Sequence, residues 1–232
     1  SETVVPPETP LGNFTHLLIY ANSSLAEQTI PTVHEIFDMS ASASLIVFVD
    51  KDLDESELGG QITWQAPSDP SRLQDYVVSL SNDQMGLSRI DLGVAPGEIL
   101  NVAAETAMVK YVLVYTRSML VEQTTPISFN IVDSIASVSN ITFPDFDLDE
   151  TDVGGELTWS PASTIGRDEV MNYLVYLASM EGDPGCEYVA GDWCVRSYFA
   201  EAVDENITVP PETHLENFTH WLVFTKSTLV EQ

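Results

Sequence analysis

Hydrophobic and polar positions alternate along most of this chain with a period of two. Tyr76, Val78 and Leu80 interleave with Val77, Ser79 and Ser81, and Tyr111, Leu113 and Tyr115 interleave with Val112, Val114 and Thr116. Strands with one buried face read this way. Turn signals separate the alternating runs: Gly59-Gly60, Pro67-Ser-Asp-Pro70, Asn82-Asp83, Pro96-Gly97, Gly154-Gly155 and Asp183-Pro-Gly185. No segment carries a capped helical stripe. Roughly seven short strands per unit is the spacing of a Greek-key sandwich.

The pattern also repeats. Asp52-Leu-Asp-Glu-Ser-Glu-Leu-Gly-Gly-Gln-Ile-Thr-Trp64 returns as Asp147-Leu-Asp-Glu-Thr-Asp-Val-Gly-Gly-Glu-Leu-Thr-Trp159, an offset of 95. A second block occurs three times, as LLIYANSSLAEQ from Leu17, VLVYTRSMLVEQ from Val112 and WLVFTKSTLVEQ from Trp221. The step from Gln123 to Gln232 is 109 residues, so the later unit carries 14 extra residues, placed around the cysteines. A third echo, VPPET followed by NFTH, links Val5–His16 with Val209–His220. Self-similarity of this kind marks a tandem array.

The order of the strands resembles a fibronectin type III or immunoglobulin-like module. The residues that carry the resemblance are Gly59 to Pro67 with Trp64 near its end, then Asp75–Leu80 opening on Tyr76, then Tyr111–Tyr115, then Ile127–Val132. Trp159, Pro161 and Tyr173 match in the second unit. The resemblance implies an all-β chain of tandem Greek-key β-sandwich modules with Trp64 and Trp159 in their cores. It also implies an adhesive, spacer or receptor role more readily than catalysis, although a fold alone specifies no task.

Laid along the chain, the pattern gives three parts. Residues 1–38 read as the last three strands of a preceding module, 39–134 as one complete module, and 135–232 as a module lacking its last strand. Two explanations fit the ragged ends: a window on a longer array, or an incomplete module that accepts a strand from a neighbouring chain. Both give a fibre or stalk built from copies of itself.

Charge narrows the partners. The chain has 36 Asp and Glu against 8 Lys and Arg, a net charge of −28. Such a surface repels phosphate backbones and anionic headgroups, so nucleic acid and membrane surfaces are unfavourable partners. Disorder needs low hydrophobicity, yet 44% of residues are hydrophobic. No apolar run approaches the roughly 20 residues of a membrane span, and the start has no signal-peptide pattern.

Three further features bear on setting and chemistry. Five Asn-x-Ser/Thr sequons, at Asn13, Asn22, Asn140, Asn206 and Asn217, are candidate sites for N-linked glycans. Cys186 and Cys194 are the two cysteines and flank a short loop. A disulfide there would constrain the unfolded chain by ~2.5 kcal/mol. Sequons and disulfide together point to an extracellular or cell-surface location. Finally, Asp50, Asp52, Asp54, Glu55 and Glu57 recur as Asp145, Asp147, Asp149, Glu150 and Asp152. In an extended segment the residues at i, i+2 and i+4 share one side. Asp50, Asp52 and Asp54, and likewise Asp145, Asp147 and Asp149, are therefore candidate ligands for Ca²⁺, although the spacing departs from an EF-hand loop.

Enzyme signatures are absent from the sequence: there is no Gly-x-Ser-x-Gly elbow, P-loop, dinucleotide fingerprint or His-Glu-x-x-His. The expectation is a non-enzymatic, glycosylated extracellular repeat protein forming a filament, stalk or surface coat. The alternative is an adhesin that binds through end loops or the Cys186–Cys194 hairpin.

Overall fold

The computed structural model describes residues 2–162, 166–180 and 193–232. It is built almost wholly from antiparallel strands, with a single 3-10 turn at Arg167–Glu169 among the described residues. Residues 39–134 contain seven strands: β3 (Ser44–Asp50), β4 (Glu57–Gln65), β5 (Leu73–Ser81), β6 (Ile90–Ala95), β7 (Ile99–Ala107), β8 (Tyr111–Ser118) and β9 (Ile127–Asn130). They form two sheets, β3-β4-β7 and β6-β5-β8-β9. Residues 135–232 repeat the plan with β10 (Ser139–Thr142), β11 (Asp152–Ser160), β12 (Asn172–Met180), β13 (Trp193–Ala202), β14 (Asn206–His214) and β15 (His220–Lys226). Their sheets are β10-β11-β14 and β13-β12-β15. This is a tandem pair of β-sandwiches. The place that β9 takes beside β8 has no counterpart beside β15 among the described residues.

The alternating pattern puts every second side chain between the sheets. Ile46, Phe48, Leu58, Ile62, Trp64, Tyr76, Val78, Leu80, Val102, Val112 and Val114 fill the first core. Leu157, Trp159, Tyr173, Val175 and Val209 lie in the second. Each large side chain so buried contributes about 1.5–3 kcal/mol. In both cores the tryptophan meets the tyrosine that opens the next strand nearly edge to face, Trp64 with Tyr76 at 5.2 Å and Trp159 with Tyr173 at 5.3 Å.

Two local expectations change. Strand β5 is buried on both faces, because Val77, Leu113 and Tyr115 make a second small cluster outside the sandwich. Arg89 covers it, its guanidinium 4.3 Å from the Tyr115 ring centre. The glycine pairs are not turns between strands either. Gly59-Gly60 and Gly154-Gly155 lie inside β4 and β11, at register shifts between Leu58 and Gly60 and between Val153 and Gly155. Each is a bulge, where a second backbone comes close and a side chain would intrude.

Residues 1–38 supply two paired strands rather than three, β1 (His16–Ile19) and β2 (Thr32–Glu35). The missing one is Val5–Thr9, whose counterparts Val209–Thr213 lie in β14 and pair with β11. Its two prolines, Pro6 and Pro7, lie in coil and a turn. In β14 they sit on a sheet edge, where a missing N–H is tolerated. Every residue of β1 and β2 is exposed.

The bulge makes a direct prediction. Gly60 has φ +138°, and a Cβ there would lie 2.7 Å from the Val49 carbonyl oxygen, whereas Gly93 has φ +147° and open space around it. Gly93→Ala should cost about 1–2 kcal/mol from backbone strain alone, and Gly60→Ala about 3 kcal/mol or more. Urea unfolding of the two variants, followed by tryptophan fluorescence, checks the difference.

Candidate functional site at the acidic corners

The repeated acidic run forms the corner where β3 hands over to β4, and β10 to β11. After Asp50 the chain leaves the extended conformation, so the carboxylates do not line one face. They cap backbone amides in succession. Asp50 Oδ1 accepts the Asp52 amide at 3.2 Å and the Gly59 amide at 2.9 Å, while Asp50 Oδ2 accepts the Ser134 amide at 3.0 Å. Asp52 Oδ1 accepts the Asp54 amide at 3.4 Å, and Asp52 Oδ2 accepts the Glu105 amide at 2.6 Å. The second corner repeats this. Asp145 Oδ1 accepts the Asp147 and Gly154 amides, Asp147 Oδ1 accepts the Asp149 amide, and Asp147 Oδ2 accepts the Glu212 amide at 2.7 Å. The i, i+2 spacing is thus the spacing of chained Asx turns.

Glu105 and Glu212 complete the corners, and sequence reasoning missed them. Both adopt positive φ, 61° and 62°, which turns their amides toward Asp52 and Asp147. The signal lay in the Glu-Thr pairs Glu105-Thr106 and Glu212-Thr213. Each threonine hydroxyl donates to a carbonyl three residues back, at Ala103 or Pro210, and Thr9 does the same to Pro6 beside Glu8 at φ 59°. In the first corner, oxygens of Asp52, Asp54, Glu57 and Glu105 lie within 4.8 Å of one another; in the second, those of Asp147, Asp149 and Glu212 do. All-oxygen sets of this kind suit a hard cation. Asp50 and Asp145 lie outside both sets, their oxygens turned to backbone amides.

Crowding shows in the titration. Burial raises the Asp50 and Asp54 carboxyls above their ordinary range, and Asp52 and Glu105 add like charge at Asp54. The neighbouring Glu105 carboxyl raises Glu57, with the charges of Asp52 and Asp54 adding to it. In the second corner the Glu212 amide holds Asp147 low, while the charges of Asp147 and Asp149 push Glu212 up.

The two corners differ in one respect: the first is covered by the second module. Leu53 inserts between Ala136 and Ala162, with Val170 beside them. Ser227 Oγ donates to the Lys51 carbonyl at 2.6 Å, and Lys51 Nζ reaches Thr228 Oγ1 at 3.0 Å. The Ala136 amide and the Gln232 side-chain amide both donate to the Leu53 carbonyl. A Cβ on Gly59 would collide with Leu229. Leu53 is 0% exposed, whereas its counterpart Leu148 is 96% exposed. The thrice-repeated block supplies these contacts. Thr225 Oγ1 donates to the Ala136 carbonyl, and Gln232 pairs with Ser137 at the front of its own module. Thr116 with Ala41 and Gln123 with Ser42 do the same in the first.

The other sequence candidates fall elsewhere. Asn13, Asn22, Asn140, Asn206 and Asn217 are all exposed. Cys186 lies outside the described residues, and with it the Cys186–Cys194 bridge and the hairpin that an adhesin would use.

Two substitutions separate capping from charge. Asp50→Ala leaves three amides without their acceptor and should destabilise the first module by about 3 kcal/mol or more, against about 1 kcal/mol for Asp145→Ala on its exposed corner. Asp54→Asn removes charge and breaks no hydrogen bond to its carboxylate among the described residues. The folded state holds the Asp54 proton more tightly than the unfolded chain, so the penalty of its charge is absent below the ordinary value of 3.8. It grows as pH rises through the raised value. Asp54→Asn should therefore melt about 2–4 °C higher at neutral pH and lose that advantage in acid. Calorimetry at both pH values reads this.

No family model and no curated protein matches the chain. Among solved structures it is similar to domains A168–A170 of titin, with TM-score 0.32 and 10% identity, over 92% of this chain and 69% of that one.

Proposed function

We propose that this chain is a structural segment of an extracellular tandem β-sandwich protein, a stiff spacer in a filament, stalk or surface coat. The observation that carries the reading is the junction between residues 39–134 and 135–232. The connection at Asp133–Ala136 is not a free linker: Ser134 donates to Asp50, Ala136 donates to the Leu53 carbonyl, and Asp133 Oδ2 accepts the Ser56 amide at 3.0 Å. Leu53, Leu229 and the Ser227 hydroxyl then fix the modules against each other. A hinge would leave Leu53, Ser134 and Ser227, which are buried here, open to solvent. Modules joined by a fixed contact transmit orientation along an array, which is what a stalk requires. The exposed sequons support an extracellular setting, where glycans on the flanks would hinder lateral pairing of sheet edges and leave the ends free.

Small-angle scattering of the whole chain tests this. The expected profile is one elongated particle with a single distance between modules, and Leu229→Asp should broaden that distance while both modules still melt cooperatively. Modules that already tumble independently in the parent chain would overturn the reading.

A further inference from the structure

The two modules present different outer faces on the same sheet. On β3-β4-β7 the residues that point away from the core fall into two cross-strand rows, Val49–Gln61–Asn101 and Val47–Thr63–Ile99, and Leu45 continues the β3 side. Leu45, Val47, Val49 and Ile99 are 65%, 53%, 45% and 51% exposed. In the second module the middle row is Thr142–Thr158–Asn206. Asn140 stands where the first module has Leu45, and Glu156 and Thr208 stand where it has Gln61 and Asn101. The same surface is therefore apolar in one module and polar in the next.

The changes act in one direction. Leu45-Ile-Val47 becomes Asn140-Ile-Thr142, and Ile99-Leu-Asn101 becomes Asn206-Ile-Thr208, so a sequon replaces each stretch. Residues i and i+2 of a strand share a face, and both ends of each sequon are exposed. Gln61 becomes Glu156, which adds a charge to the polar face. Leu45 also sits at φ 48°, a left-handed conformation that suits asparagine far better than leucine, and Asn140 has φ 50°. An exposed leucine on an unfavourable backbone costs the single chain free energy that burial in a contact recovers. Neither neighbour along the chain supplies that contact. The second module is in place and leaves Val47 and Val49 bare, and the first module is in place and leaves Asn140 and Thr142 exposed.

We infer that a second copy of this chain packs on the outer face of β3-β4-β7, sheet against sheet about a twofold axis. Charge selects the partner. Both rows and Leu45 are uncharged in a chain of net charge −28, so the twofold contact sets neutral surface against neutral surface. A basic partner would find its counter-charges at the acidic corners instead. The same patch serves both copies, so the contact is isologous and closes as a dimer. Three strands about 4.8 Å apart, with the outward residues of each, offer roughly 400 Å² per copy. That is about half of what a stable interface buries on each side, so one contact is weak, and chains in an array multiply it. The sequons at Asn140 and Asn206 and the charge of Glu156 keep the matching face of the second module out of the contact. The pairing lies on the flank of the molecule and goes beyond the stalk reading, since it does not depend on the fixed junction between modules.

Sedimentation equilibrium of the whole unglycosylated chain, at concentrations up to about 1 mM, tests the inference. The expected result is a monomer–dimer equilibrium that strengthens as salt screens the −28 on each copy. Leu45→Asn combined with Val47→Thr gives the first module residues that its neighbour already carries at the same backbone positions. This variant should melt at or above the parent and weaken association about tenfold or more. Ile99→Asn makes the same test from β7 and should act in the same direction. A chain that stays monomeric throughout overturns the inference, and so does association that either variant leaves intact. Loss of the fixed internal junction is a separate result, read by scattering on the monomer.

Discussion

A carboxylate that accepts backbone amides is the constraint on which the rest of this molecule depends. Asp50 ties together the end of β3, the bulge in β4 and the first residue of the connection to the next module. One side chain thereby sets the local turn, the register of the first sheet and the exit direction of the chain. Its position is 2% exposed, and its charge is tolerated there because three N–H dipoles face it. The corner holds its remaining carboxylates close together against their mutual repulsion because their backbones are already fixed by Asp52 and by the left-handed turn at Glu105.

Much of this was legible beforehand. The period of two located the strands because the sandwich buries alternate side chains, and Trp64 and Trp159 sit in the cores as the fibronectin type III-like pattern implies. The repeated block that ends in Trp64 and Trp159 forms the matching strands β4 and β11. Other features depended on contacts between residues distant in sequence. Gly59-Gly60 reads as a turn by composition, yet it is a bulge because Val49 and Leu229 approach it from elsewhere. Val77 reads as outward-facing, yet the segment after β5 folds back and covers it. The aspartate spacing reads as three carboxylates on one side of an extended strand, whereas the chain bends and the same spacing serves successive amides. Glu105 could enter the corner only once β7 was known to lie beside β4.

Repetition also explains why one sequence block serves several tasks. Thr225 and Gln232 close the front of their own module, and Gln232, Ser227 and Leu229 from the same dozen residues grip the module behind. The first module keeps the closing contacts, Thr116 to Ala41 and Gln123 to Ser42, while its gripping residues face a groove. Internal closure and external grip are therefore separable within the block. Changing Leu229 touches the second without the first.

The span of the junction in sequence has a consequence for how such a chain folds. Lys51 and Thr228 meet across 177 residues, so the contact cannot form until nearly all of the second module has been made. During synthesis the first sandwich completes itself with Leu53 still bare. It receives its cover only when the segment after β15 of its successor arrives. The second module in this way shelters the corner leucine of the module made before it, so that burial of Leu53 marks the completion of both.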